Sequence, residues 1–69
     1  MKTENIGIKG HTGTWYVIGT QIILGEKYFL LESEQHGDEA PCIIIDERYN
    51  LILEDVENGF EDLRECWGI

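Results

Sequence analysis

The side chains with the clearest metal-ligand chemistry lie together at His36-Gly37-Asp38-Glu39, with Glu32 and Glu34 just upstream and His11 free to approach them in space. An imidazole and several carboxylates could hold a divalent cation, and a cation-bound water could hydrolyse a substrate. The spacing does not support either chemistry. It is not the D-x-[DN]-x-[DN]-G of a calcium loop, nor the helical H-E-x-x-H of a zinc protease. A solvated loop in which Gly37 supplies a positive φ accounts for the same residues.

Nucleophiles fare no better. A reactive cysteine needs a base in reach and an electropositive setting. Cys42 lies in the most apolar stretch and Cys66 among acids, so both read as packing residues. Ser33 is the single serine and no nucleophile-elbow motif surrounds it. Gly7, Gly10 and Gly13 recur at spacing three without the G-x-x-x-x-G-K-[ST] of a phosphate loop. Adjacent acids are frequent (Asp38-Glu39, Asp46-Glu47, Glu54-Asp55, Glu61-Asp62), but neighbours on a strand point to opposite faces and are usually solvated. Their functional reading is an acidic face for a basic partner, which an exposed Trp67 or Tyr49 would strengthen as an anchor. The helical spacing of Trp67 assigns it to the core instead.

Charge supports that functional reading. Residues 1–31 carry three lysines against two acids, a net of +1, whereas residues 32–69 carry two arginines against twelve acids, a net of −10. Such a field repels nucleic-acid phosphates and anionic membranes and attracts basic proteins or cations. The alternative is an acidic surface that only keeps a small protein soluble. The 69 residues, 42% of them apolar and seven aromatic, suffice for one small core and one domain, residues 1–69. Two distant cysteines outside any C-x-x-C pair are expected to be reduced, in a cytoplasmic protein. Residues 1–14 lack the apolar core of a signal peptide, and no run is long enough to span a membrane.

The elements follow from local preferences. Ala40-Pro41-Cys42-Ile43-Ile44-Ile45-Asp46 must be a strand: Pro41 removes a donor and turns Ala40 away from the helical region, and three β-branched isoleucines favour the pleat. Apolar side chains on both faces make it central. The first 14 residues, with Ile6 and Ile8 alternating between glycines, suggest a short edge strand and a tight loop. Trp15–Leu24 reads as a strand, or a pair of strands bent at Gly19, with Trp15 and Val17 on one face. Gly25-Glu26 turns the chain into Lys27–Glu32, where Tyr28 and Leu30 point one way and Phe29 and Leu31 the other.

Residues 33–39 form the polar loop before the central strand, and a hairpin with a left-handed Asn50 leads into Leu51–Glu54. Asn58 as N-cap with Glu61 as its capping-box partner starts a short helix near Gly59, whose Phe60, Leu63 and Trp67 lie on one face with Cys66 beside them. The fold class is therefore α+β: an antiparallel sheet of four or five twisted strands, curling toward a partial small barrel, closed by one C-terminal helix. Its core comprises Trp15, Val17, Tyr28, Leu30, Ile43, Ile45, Leu51, Leu53, Phe60 and Leu63. A register off by one exchanges Ile43 and Ile45 for Cys42 and Ile44.

The order of segments resembles a bacterial family. Gly10-His11-Thr12-Gly13-Thr14-Trp15-Tyr16-Val17-Ile18, Lys27–Glu32, Gly37-Asp38-Glu39-Ala40, Leu53-Glu54-Asp55-Val56, Asn58-Gly59-Phe60 and Asp62-Leu63 look like one of the large polyvalent protein-associated domains. These are carried by conjugative transposons and phages. The resemblance implies an accessory protein of a mobile element and brings no catalytic residues, metal or cofactor.

The residues and the resemblance together give an expected non-enzymatic interaction module that binds a basic protein of the host or the element, without direct nucleic-acid or membrane contact. Its candidate surface is Glu34, His36, Asp38, Glu39, Glu47, Tyr49, Glu61, Asp62 and Glu65. The competing classes are a metal-dependent or hydrolytic enzyme using His11 and His36, a DNA mimic that inhibits a basic DNA-binding protein, and a homo-oligomeric structural part marked by an exposed apolar patch.

Overall fold

The computed structural model describes residues 2–4, 13–34 and 41–68. They form β1 (Lys2–Glu4), β2 (Thr14–Ile23), β3 (Glu26–Ser33), β4 (Cys42–Asp46), β5 (Leu51–Val56) and α1 (Phe60–Trp67). The five strands are hydrogen-bonded in sequence order, each antiparallel to the next, so the sheet is an open meander and does not close into a barrel. The expected edge strand is present at Lys2–Glu4; Ile6 and Ile8 lie outside the described residues.

The triple isoleucine of β4 is fully buried, Ile43 and Ile45 on one face and Ile44 on the other. Neither register alternative therefore wins alone, because the sheet has two cores. Trp15, Leu31, Ile43 and Ile45, with Val17, Phe29 and Leu51, fill the first. Ile23, Tyr28, Ile44, Val56 and Leu63, with Leu30, Cys42, Ile52, Leu53 and Phe60, fill the second, beneath α1. The alternation expected for β3 is observed, Phe29 and Leu31 facing one core and Tyr28 and Leu30 the other. The predicted core lacked Leu31 on the first face and Ile23, Ile44 and Val56 on the helix side.

Bulges make this packing possible. The register of β2 against β3 shifts between Val17 and Gly19, which leaves Ile18 as the extra residue and turns Ile23 to the helix side. Gly19 permits the approach of the Phe60 ring, which would stand 3.3 Å from an added Cβ. Two further shifts kink β5, which runs on to Val56 rather than ending at Glu54 as expected; Asp55 absorbs one of them with φ 57°. Ser33 is the buried last residue of β3, not part of the polar loop. Its place opposite Trp15 continues the alternation of Phe29 and Leu31.

Candidate functional site

Three elements converge on one end of the sheet. The β2–β3 turn at Leu24-Gly25, the β4–β5 turn at residues 47–50 and the C-terminal turn of α1 share it, because Tyr28 pairs with Asp46 in the sheet and its ring meets Trp67 from the helix. The helix runs toward this end, with Phe60 near Gly19 and Arg64 donating from Nη2 to Gln21 Oε1 at 3.2 Å.

The β4–β5 turn is built on Asp46. Its Oδ1 accepts the backbone N–H groups of Arg48 and Asn50, both at 2.9 Å, and its Oδ2 accepts Asn50 Nδ2 at 3.1 Å. These bonds stabilise the carboxylate, chiefly through the Asn50 amide, and hold the Asp46 carboxyl below its usual range. Tyr49 takes the left-handed conformation with φ 63°, where Asn50 was expected to. Asn50 instead spends its side chain on Asp46, and the aromatic ring of Tyr49 is turned out, 43% exposed. Beside this turn Glu26, Asp46, Glu47 and Arg48 line an open polar depression.

The helix supplies the second aromatic. Trp67 is 40% exposed, which corrects its assignment to the core: at the last helical position its indole meets the Tyr28 ring in a T-shaped contact and is only partly covered. Burial lifts the Tyr28 phenol above its usual pKa, with Glu26 and Asp46 adding to the effect. Cys66 is exposed and unbonded rather than packed, one position off the apolar row of the helix. Cys42 is half-buried in the helix-side core.

The expected capping box at Asn58 and Glu61 is replaced by another device. Gly59 is the N-cap and offers no side chain; Asp62 reaches back, its Oδ2 accepting the Glu57 and Asn58 amides at 2.8 and 3.0 Å and its Oδ1 accepting Asn58 Nδ2 at 3.2 Å. The Asn58 and Glu57 amides, in that order, lower the Asp62 pKa. Gly68, left-handed, closes the other end by donating to the carbonyls of Arg64 and Glu65.

The predicted surface residues are thus divided. Glu47, Tyr49 and Glu65 are exposed at the turn end, Glu61 and Asp62 sit in the first turn of the helix, and Glu34 lies at the opposite end of β3, accepting Tyr16 Oη at 2.6 Å. That bond raises the Tyr16 pKa. His11, His36, Asp38 and Glu39 fall outside the described residues. Among the described residues no group of three or more His, Cys, Asp or Glu side chains could hold a metal ion. Glu26 and Trp67 were missed as surface residues; their shared end becomes visible only when Tyr28 is registered against Asp46.

No helix among the described residues is long and apolar enough to cross a membrane. No match was found among curated proteins or among solved structures. The sequence does match one family model, over residues 1–66, and on that match the chain belongs to the family described as large polyvalent protein-associated domain 18.

Proposed function

We propose that the domain is a non-enzymatic interaction module that offers the turn end of its sheet to a basic protein. The observation that carries this reading is the joint exposure of Tyr49 and Trp67 on an end that also bears Glu26, Glu47 and Glu65. Exposed aromatics held by a turn and a helix, surrounded by carboxylates, are what a basic partner can anchor on: the rings supply contact area and the acids steer the approach. Lys27 and Arg48 moderate the field locally, while the net charge of −9 keeps the long-range attraction for a cation-rich surface. The family's association with large polyvalent proteins of mobile elements supports the view that the partner is a protein of the element or its host, met in the cytoplasm.

The test is affinity capture of the tagged chain from lysate of its own host, eluted with a salt gradient and read by mass spectrometry. A basic protein released early in the gradient, and lost on Trp67→Ala or Tyr49→Ala, supports the reading. An empty capture, or a partner indifferent to salt and to both substitutions, refutes it.

A further inference from the structure

Among the described residues three other than glycine take a positive φ, and two of them stand at the turn end, Leu24 at 52° and Tyr49 at 63°. Each occupies a hairpin position that favours Gly or Asn. Leu24 opens the two-residue β2–β3 turn. In the β4–β5 turn the Tyr49 amide donates to the Asp46 carbonyl and the Asp46 amide to the Asn50 carbonyl, both at 3.1 Å, so a tight turn is followed by a left-handed residue, the usual place of a glycine. Neither strain is offset by burial: Leu24 is 80% exposed and Tyr49 43%. A backbone cost that the fold does not recover points to binding.

The register fixes how far apart the two residues stand. Tyr28 pairs with Asp46, so the turns leave the sheet at the same level, separated by two strand spacings, about 10 Å. Residues i and i+7 of an α-helix share a face about 10.5 Å apart, whereas i and i+2 or i+4 of a strand are about 7 or 13 Å apart. Glu26 at the foot of one turn and Asp46, Glu47 and Arg48 in the other line the polar depression, three carboxylates against one guanidinium. We infer that the turn end seats a basic amphipathic helix laid across both turns. Its apolar side chains at i and i+7 rest on Leu24 and Tyr49, and Lys or Arg at i+3 and i+4 face the carboxylates. This rests on the reading of the turn end as the binding end for a basic protein, and names the segment of that protein it takes. A second copy does not fit, because a chain of net charge −9 brings carboxylates to carboxylates.

Fluorescence anisotropy of labelled synthetic peptides tests it, with the full chain titrated to about 0.5 mM at low salt, where a Kd in the tens of micromolar is nearly saturated. Three peptides of equal charge are compared: a helix former with Leu at i and i+7 and Lys at i+3 and i+4, the same composition scrambled so that no face carries both leucines, and an oligolysine. The patterned peptide should bind about tenfold more tightly than the other two, and Leu24→Asn and Tyr49→Asn should each weaken it about tenfold while leaving oligolysine binding unchanged. Both variants carry a residue that their turns favour, so unfolding at or above the wild-type temperature shows that the lost binding is not a lost fold. Equal binding of the three peptides, or variants that bind the patterned peptide as the wild type does, overturns the inference and leaves the acidic end as a general binder of basic proteins. Failure of all three peptides to bind refutes the acidic-module reading, and this inference with it.

Discussion

The ring of Tyr28 receives the indole of Trp67 edge-on, with centroids 5.3 Å apart and planes inclined at 66°. This contact holds the end of an eight-residue helix that is too short to persist unaided. Tyr28 is buried and Trp67 is not, so the pair couples the helix-side core to the candidate binding end. Trp67→Ala should therefore cost about 2 kcal/mol, below the roughly 3–5 kcal/mol of a fully buried aromatic. Trp67→Phe should recover part of the loss. Urea midpoints measure both, and an unchanged midpoint for Trp67→Ala would show that the ring contact contributes nothing to the fold.

Acid should weaken the protein through two carboxylates that do no charge pairing with each other. Asp46 and Asp62 each gather backbone amides in the folded chain, and their folded pKa values lie below the unfolded one. A depressed folded pKa means that the stabilisation is complete above the unfolded value, roughly 3.9, and disappears as pH falls through the folded value. The Asp46→Asn, Asp62→Asn double variant should be less stable than the wild type at neutral pH and lose less on acidification below about pH 4. Parallel denaturation curves for the two proteins across this range would contradict the assignment.

Leu24 and Gly25 form the two-residue β2–β3 turn, with φ values of 52° and 82°. Positive φ at both positions is the mark of a type I′ turn, which favours Asn-Gly over Leu-Gly. Leu24 is strained by its Cβ and gains no burial in return. Leu24→Asn should raise stability by about 1 kcal/mol, and Gly25→Ala should lower it by a similar amount. Thermal unfolding of the two variants decides the point; a destabilised Leu24→Asn would mean that the leucine packs in a way its exposure conceals.

What could be read in the sequence was what local chemistry controls. Pro41 and three isoleucines can only make a strand, Gly19 marks a bend, and the spacing of Phe60 and Leu63 makes a helix face; each is observed. Pairing decided the rest. Ile23 enters the helix-side core only because the bulge at Ile18 changes the face on which later residues fall, and a register shift in β5 sets Leu53 beside Ile44 on the face opposite Leu51; no periodicity carries that information. The capping-box pattern at Asn58 and Glu61 was present, but Asp62, one residue on, offers two oxygens to the same segment and takes over its amides. The site was half legible: the acidic residues and Tyr49 could be proposed from composition, whereas the exposure of Trp67 depends on how much of its ring Tyr28 covers.

Gly19 joins the bulge to the helix. An added Cβ would stand 3.3 Å from Cε2 of Phe60 and 3.6 Å from Leu30 Cβ, both in the helix-side core. The first separation is tighter than a comfortable carbon contact, so the phenyl ring must yield by a few tenths of an ångström. Phe60 opens α1 and cannot retreat far without moving the helix. Gly19→Ala should therefore destabilise the domain by roughly 1–3 kcal/mol, the usual range for overpacking. Phe60→Leu removes the ring edge that the new methyl meets, and the double variant should be more stable than the sum of the two single effects predicts. A double-mutant cycle on urea midpoints checks this: strict additivity would mean that the methyl is accommodated by movement of β2, and that the closeness of Gly19 to Phe60 does not constrain the position of the helix.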